Sequence, residues 1–325
     1  MREFKHRIVK EYRSFLVLDE EQSEKTYRYG KMEYWFKIPE DLLTKDIQWV
    51  LEPKLDGSNI RFHVTNLGRI QLATRRKEIA HEDFYMMFLE GIKFWLEHEE
   101  YDLTLVDVLL SMVTELLDMN LVFFGELYGS KNTPCGIHKE EFFPYNYSVF
   151  ELYDKERQTF VFPFFLYEFV KDVLFPFEQV IFYFRRFITV NSLEELISEI
   201  ADYWKFLKQA NLKAEGIVLK AYLFNSEEFD SRWSCDIERF KWKPFDLRIA
   251  LALTEIKNEL WKHRNLTEGC LKGDKKQCRK LKKLIEGELN KHGFTDIRVD
   301  WNIIAMVNAL DYEDLGIVVK YFGGE

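Results

Sequence analysis

The sequence predicts an α+β protein built from a sheet-rich domain, residues 1–245, and a small helical domain, residues 246–325. Short apolar or alternating runs bounded by turn residues recur as far as Pro244 and indicate strands. Beyond that proline the apolar residues, such as Leu247 and Leu251, fall at helical spacing. No repeat or low-complexity linker appears, so we place the domain boundary where the periodicity changes.

One stretch near the start of the sheet-rich domain combines a strand, a lysine and a tight turn. An apolar run over residues 47–51 predicts a buried strand that delivers Lys54 to an Asp-Gly turn, and residues 59–65 and 69–74 then form a predicted β-hairpin. A lysine at a strand end has a fixed backbone and can face a cleft, as a nucleophilic amine requires. A solvated surface lysine beside an ordinary turn fits the same pattern.

Local patterns predict the remaining elements. Apolar spacing indicates two amphipathic helices within residues 83–118, and a capping box at Ser192 and Glu195 opens another helix. Further strands are predicted at residues 121–129, 147–153, 159–164, 214–220 and 239–244.

Composition limits the cellular setting and the kind of surface. The net charge of −9 excludes a global positive field, so any nucleic-acid surface must be local. The aromatic segment over residues 160–187 is interrupted by charged residues and predicts a packed core rather than a membrane span. The first residues lack the pattern of a secretory leader, so we expect a soluble, cytoplasmic protein with no membrane partner.

Cysteine usage agrees with a reducing compartment. No two of the four cysteines form a Cys-x-x-Cys pair, and no histidine cluster accompanies them, so a zinc site is not expected. Reduced thiols are the expectation for a cytosolic chain. The four are Cys135, Cys235, Cys270 and Cys278.

Five short motifs resemble the ordered motifs of the covalent nucleotidyltransferases, which comprise ATP-dependent DNA ligases, RNA ligases and GTP-dependent mRNA capping enzymes. The resemblance covers about residues 50–244. It implies an antiparallel-sheet nucleotidyltransferase (ATP-grasp-like ligase) domain, with the nucleotide between two sheets, followed by the small helical domain. The motifs are Lys54-Leu55-Asp56-Gly57, Phe124-Gly125-Glu126, Phe150-Glu151-Leu152-Tyr153, the stretch from Glu215 to Lys220, and Lys241-Trp242-Lys243.

The resemblance implies that Lys54 is the residue that becomes adenylylated. A free lysine has a pKa near 10.4, so roughly one in two thousand is neutral at pH 7. Nearby cations favour the neutral amine, and Lys241, Lys243 and a bound Mg²⁺ could supply them. Glu126 and Glu215 offer the hard oxygen ligands that Mg²⁺ or Mn²⁺ requires.

Other residues are implied to contact ATP or the substrate. Phe150 offers an aromatic face to adenine, although it could simply belong to the core, and Glu52 lies where ligases contact the adenine edge. Arg75 matches a position that contacts ribose or nucleic-acid phosphate, with Arg76 as the alternative. The remaining implied contacts are Glu126 at the ribose or the metal, Lys220, Lys241 and Lys243 at the phosphates, and Asn59 at the substrate or in the turn.

Two departures favour the RNA-ligase branch. Asn59 occupies the position, five after the lysine, where DNA ligases and capping enzymes usually carry arginine. Those enzymes also carry an OB domain, whereas this tail is helical in pattern, as in the second phage type of RNA ligase. The expected function is ATP-dependent joining of 5′-phosphate and 3′-hydroxyl RNA ends through a lysyl-AMP intermediate and an adenylylated 5′ end. The alternatives are a DNA ligase without an OB domain and a non-catalytic nucleic-acid end-binding protein.

A basic run in the tail is the candidate for local RNA contact. Between Lys272 and Lys283 the only acidic residue is Asp274. A solvated helix face is the plain explanation of such a run, but a polyanionic substrate, an RNA end that is nicked or single-stranded, is independently expected. The predicted phosphate contacts are Lys275, Lys276, Arg279 and Lys280.

Overall fold

The computed structural model describes residues 11–25, 27–44, 46–162, 167–224 and 235–322. Within this part, a hydrogen-bonded sheet of ten strands forms the centre of the fold. The strands are β1 (Glu33–Tyr34), β2 (Gln48–Lys54), β3 (Gly57–Val64), β4 (Ile70–Thr74), β5 (Leu121–Tyr128), β6 (Asn146–Asp154), β7 (Thr159–Val161), β8 (Arg186–Ile188), β9 (Gly216–Phe224) and β10 (Cys235–Trp242).

The sheet is antiparallel apart from one pair. Its order is β4-β3-β5-β6-β7-β10-β9-β2-β8, and β1 pairs with β10 in parallel. The antiparallel sheet is as predicted, but the two expected sheets are two halves of one continuous sheet. They are joined because the short strand β7 pairs with β6 and also meets β10, where Phe160 is opposite Cys235. Residues 163–164 of the predicted strand lie outside the described residues.

The chain crosses between the two halves directly after Lys54. β2 pairs with β8 and β9 in one half, whereas β3 pairs with β4 and β5 in the other. The predicted hairpin is confirmed as β3 and β4, closed by a hydrogen bond from the Gly68 amide to the Thr65 carbonyl, 2.9 Å. This crossover places the end of β2 at the junction of the two halves.

Helices cover the sheet and form the tail. The predicted helix start at Ser192 is confirmed, because its side chain accepts a hydrogen bond from the Glu195 amide. Thr104 and Asp107 form a reciprocal capping box at the start of another helix. The named α-helices of the described residues are α1 (Glu82–His98), α2 (Leu105–Leu116), α3 (Tyr167–Val173), α4 (Val180–Phe184), α5 (Leu193–Gln209), α6 (Pro244–Lys262), α7 (Arg264–Leu271), α8 (Lys275–Lys291), α9 (Trp301–Ala309) and α10 (Tyr312–Phe322).

Each half of the sheet has its own apolar core. The first half, β3 to β6, packs with α1 to α4, whereas β2, β9 and β10 pack with α5 to α10. The tail joins the second core directly, since the Trp242 ring of β10 stacks on Phe322 of α10 at 5.7 Å. Burying a side chain of this kind contributes roughly 1.5–3 kcal/mol. The helical part begins at Pro244, in the first turn of α6, where proline is favoured.

The prediction that all four cysteines are reduced is wrong for one pair. Cys270 and Cys278 form a disulfide with a Cα–Cα separation of 4.5 Å, while Cys135 and Cys235 are free. The spacing of eight residues carried no signal, because the turn between α7 and α8 is what brings the two sulfurs together.

Among the described residues, no helix has both the length and the apolar character needed to cross a bilayer.

Candidate active site

Lys54 lies at a recess formed where the two halves of the sheet meet. The recess is small, about 40 Å³, whereas ligand pockets usually measure roughly 300–1,000 Å³, so a nucleotide enters only if side chains at its mouth move. Six of the predicted site residues line it together: Glu52, Lys54, Asn59, Glu126, Phe150 and Lys220.

Glu215 ties the lysine to the last motif. Its carboxylate accepts hydrogen bonds from the Nζ atoms of both Lys54 and Lys243, and its amide donates to the Lys54 carbonyl at 2.6 Å. Burial acts to raise the pKa of Glu215, but the hydrogen bonds from the two lysines hold it below its ordinary value. The first residue before β9 thus fixes the direction of the Lys54 side chain.

The two lysines of the last motif differ in position. Lys241 lies in β10 with its Nζ 4.1 Å from the centre of the Tyr34 ring, whereas Lys243 follows the strand and is the N-cap residue of α6. Burial lowers the pKa of Lys241, and the positive charges of Lys243 and Lys54 lower it further. Three lysine ammonium groups therefore converge beside the recess, as phosphate binding requires.

Glu126 is the second candidate metal ligand. It is half-buried on β5, and burial raises its pKa to about 8, with Lys54 opposing the shift and Glu215 reinforcing it. Nearby, the buried Oδ1 atom of Asn59 has no hydrogen-bond partner within the described part of the chain. A carboxylate at this depth and an unsatisfied oxygen are what a cation or a nucleotide would satisfy.

The donor set fits a magnesium or manganese ion of the usual substrate-bridging kind. Mg²⁺ in nucleotide sites is bound through one or two carboxylates together with phosphates and water, and Glu126 and Glu215 provide two. The described residues contain no cluster of three or more His, Cys, Asp or Glu side chains suited to a metal, so a protein-only cage is not formed there.

A buried ionic network forms the back of the recess. The Lys220 ammonium lies 2.6 Å from Glu52 Oε2 and 3.1 Å from Glu151 Oε1, and it donates to the Phe150 carbonyl at 2.7 Å. Arg185 Nε donates to Glu52 Oε1 at 2.6 Å. Glu52 and Lys220 are therefore already paired with each other, and their predicted contacts to adenine and phosphate remain predictions.

The network continues away from the recess through Glu151. Arg239 donates to both carboxylate oxygens of Glu151, at 2.7 Å from Nη2 to Oε2 and 2.9 Å from Nε to Oε1. Burial opposes ionisation, but Arg239 and then Lys220 hold the pKa of Glu151 below its ordinary value. The carboxylate is thus charged at neutral pH and paired with two cations.

Phe150 lines the recess and also belongs to the apolar core, and its stacking on adenine remains a prediction. It is 8% exposed, and the Tyr29 ring stands edge-on against it at 5.1 Å. The Lys220 ammonium lies 5.2 Å from the centre of the Phe150 ring. Tyr29 occupies the space beside Phe150, so stacking of adenine requires Tyr29 to move.

Sequence reasoning missed residues of this site, among them Tyr29, Arg185 and the role of Asp56. Arg185 carried no motif signal, because it meets Glu52 only through the fold. Asp56 was treated as a turn residue, yet its buried carboxylate accepts from Thr133 Oγ1 at 2.6 Å and from the Cys135 amide at 2.8 Å. It thereby anchors the loop that places the Cys135 sulfur 3.8 Å from Glu215.

Two predicted groups lie away from the recess. Arg75 and Arg76 are exposed in the bend after β4, and neither lines the recess, so the choice between them stays open. The predicted RNA contacts Lys275, Lys276, Arg279 and Lys280 are exposed on α8, in the tail.

A family model for RNA ligases matches residues 47–243, more than half of the chain, and spans every motif at the recess. The chain belongs to the RNA ligase family. The predicted RNA-ligase branch of the nucleotidyltransferases is thereby confirmed. Comparison of this RNA ligase family member with curated proteins gives no significant match.

Solved RNA ligase structures share low identity with this RNA ligase family member. An archaeal ATP-dependent RNA ligase is 17% identical with a TM-score of 0.41; the alignment covers 92% of this chain and 67% of that one. A mutant RNA ligase of Naegleria gruberi with ATP and Mn is 16% identical with a TM-score of 0.45; the alignment covers 71% of this chain and 60% of that one. This chain therefore spans about two thirds or less of their lengths.

Proposed function

We propose that this chain is an ATP-dependent RNA ligase that joins a 5′-phosphate end to a 3′-hydroxyl end through a lysyl-AMP intermediate. The observation that carries the proposal is the position of Lys54: at a strand end, on the recess, and bound to Glu215 beside Lys243. Membership of the RNA ligase family supports it, as do the ATP and Mn named for the Naegleria gruberi ligase.

The first step forms a bond between Lys54 Nζ and the α-phosphorus of ATP. The neutral amine attacks, the bond from that phosphorus to the pyrophosphate oxygen breaks, and the nitrogen releases one proton to solvent and keeps one hydrogen in the phosphoramide. Lys241 and Lys243 stabilise the charge of the phosphates, while Glu215 orients Lys54 for attack. When bound at Glu126 and Glu215, a divalent cation would supply further neutralisation of phosphate charge.

Two transfers complete the reaction. A 5′-phosphate oxygen of the RNA attacks the lysyl-AMP phosphorus and the bond to Lys54 breaks, which regenerates the lysine and leaves the 5′ end adenylylated. The 3′-hydroxyl then attacks the 5′-phosphorus, a phosphodiester forms, and AMP leaves. The chain contributes positioning and charge stabilisation in each step.

Labelling with nucleotides tests the first step and its base preference. We expect covalent label from α-labelled ATP and a label from GTP that is lower by at least about tenfold, because a site that satisfies one polar base edge rejects another. The measurement is label retained on the denatured protein, confirmed by an AMP mass increase. Equal labelling by the two nucleotides would favour a capping enzyme, and no label from either would favour the non-catalytic end-binding protein.

Matched nicks test the choice between RNA and DNA. We expect nicks with two ribonucleotides on the 3′-hydroxyl side to seal at least about tenfold faster than all-DNA nicks, because the 2′-hydroxyl distinguishes the two sugars and favours A-form geometry at the reacting end. All-DNA nicks should accumulate the adenylylated 5′ end, since alignment acts in the last step. Equal sealing rates would assign the chain to the DNA-ligase alternative.

A further inference from the structure

A second, larger groove lies in the helical tail, between α6, α8 and α9. Its volume is about 540 Å³, and its walls include two aromatic side chains at helix starts, Phe245 and Trp301. Phe245 is 52% exposed and Trp301 is 61% exposed, although both are large apolar groups. Two exposed aromatic side chains that line one open groove offer a surface on which a planar ring can stack.

The same groove is lined by three cationic side chains: Arg279, Lys282 and Arg298. Neither arginine makes a side-chain hydrogen bond or ion pair within the described part of the chain, and Lys282 has only a distant pair with Glu286 at 3.8 Å. The carboxylate of Asp300, which also lines the groove, caps α9 through the amides of Asn302 and Ile303. The arginines are thus available to an anion.

The groove begins beside the lysines of the active site. Phe245 follows Lys243 by two residues, so their Cα atoms are within about 7 Å. Lys243 itself donates to Glu215, which holds Lys54. An RNA strand whose reacting end lies at Lys54 can therefore extend into this groove.

We propose that this groove binds a nucleotide of the RNA substrate close to the reacting end. The base stacks on Trp301 and Phe245, and Arg279, Lys282 and Arg298 hold the adjoining phosphates. Aromatic stacking combined with cationic backbone contacts is the general means of binding single-stranded nucleic acid, and guanidinium groups match phosphate geometry. The inference rests on the proposed function, since it takes RNA as the substrate.

The structure also divides the basic run of α8 between two faces. Arg279 and Lys282 line the groove, whereas Lys276, Lys280 and Lys283 do not and recur at the spacing of a different helix face. Of the predicted RNA contacts, the proposal therefore keeps Arg279 at the groove and assigns Lys276 and Lys280 to the solvated helix face that the basic run also allowed. Together with Arg298, the two groove residues of α8 make three positive charges, and Lys276, Lys280 and Lys283 make three on the other face.

The first experiment compares two triple variants that each remove three positive charges. One is Arg279→Ala, Lys282→Ala and Arg298→Ala; the other is Lys276→Ala, Lys280→Ala and Lys283→Ala. Binding of a single-stranded RNA oligonucleotide is measured over a salt series, after circular dichroism has verified the fold of both. We expect the salt slope to fall by about two units in the groove variant and by less than one in the other. Equal slopes in the two variants overturn the proposal.

The second experiment tests whether the aromatic rings of the groove stack on one particular base of the RNA. An abasic site is moved one position at a time from the 5′-phosphate end of the oligonucleotide. In the parent protein one position should lose affinity about tenfold, and that penalty should vanish in Trp301→Ala and persist in Trp301→Phe. A penalty that persists in Trp301→Ala, or no sensitive position at all, overturns stacking in the groove.

Failure of the inference is separable from failure of the proposed function. Labelling of the parent protein by ATP, without RNA, is measured first. A parent protein that takes no label contradicts the proposed function. A parent protein that is labelled, together with a groove variant that binds RNA with parental affinity and salt slope, contradicts only the groove; a groove that instead accepts a protein segment would give this result.

Discussion

Substitution of Lys54 by alanine is expected to reduce covalent labelling by ATP to background. The phosphoramide bond needs a nucleophilic amine at the end of β2, and Lys54 is the lysine that lines the recess in contact with Glu215. The protein should stay folded, because Glu215 keeps its second partner, Lys243. The measurement is label from α-labelled ATP on the denatured protein, with the melting temperature recorded alongside.

Two further variants separate the loss of the nucleophile from the loss of an ion pair. Lys54→Arg keeps a cation for Glu215, but a guanidinium is always protonated and cannot attack, so it too should take no label. Lys93→Ala removes an exposed lysine of α1 that pairs with Glu97, and its labelling should equal that of the parent. Full labelling of Lys54→Ala would place the nucleophile elsewhere and contradict the mechanism.

The parts of this site that sequence could predict are those set by neighbouring residues. The Lys54 strand end and the helix opened by Ser192 depend on apolar period, turn chemistry and capping within a few positions, and both are confirmed. The order of the five motifs in addition indicated the resemblance to the covalent nucleotidyltransferases. The convergence of Glu126, Glu215 and Lys243 on Lys54 followed from that resemblance rather than from any local pattern.

The parts that sequence could not predict come from contacts across the fold. Arg185 meets Glu52 at a separation of 133 residues, and the Thr133 hydroxyl meets Asp56 at a separation of 77. A charged residue that pairs with a distant partner has the same local pattern as a solvated one. The joining of the two half-sheets by β7 and the Cys270–Cys278 bond likewise depend on how elements pack.

Substitution of Glu151 by glutamine is expected to lower the free energy of unfolding by roughly 3–5 kcal/mol. Glu151 is 2% exposed and pairs with Arg239 at 2.7 Å and with Lys220 at 3.1 Å. Glutamine has nearly the same volume but no charge, so Lys220 would keep only Glu52 as a carboxylate partner and Arg239 would keep none within the described part of the chain. Urea unfolding at pH 7 measures the change. Glu140→Gln serves as the control, because its side chain is 91% exposed and should change stability by less than about 0.5 kcal/mol.

The pH dependence of the loss of unfolding free energy in Glu151→Gln identifies the cause of that loss. In the folded protein burial acts to raise the pKa of Glu151, but Arg239 and Lys220 lower it more strongly, so the pKa lies below its ordinary value. The charged carboxylate therefore stabilises the fold above the pKa of an unfolded glutamate, about 4.3. This contribution is lost as the pH falls through the lower folded pKa. The gap in unfolding free energy between the parent and Glu151→Gln should therefore be constant from pH 7 to about 5 and narrow below about 4. A gap that stays unchanged down to pH 3 would attribute the loss of unfolding free energy to packing rather than charge. A Glu151→Gln protein as stable as Glu140→Gln would show that the buried pairs contribute no net stability.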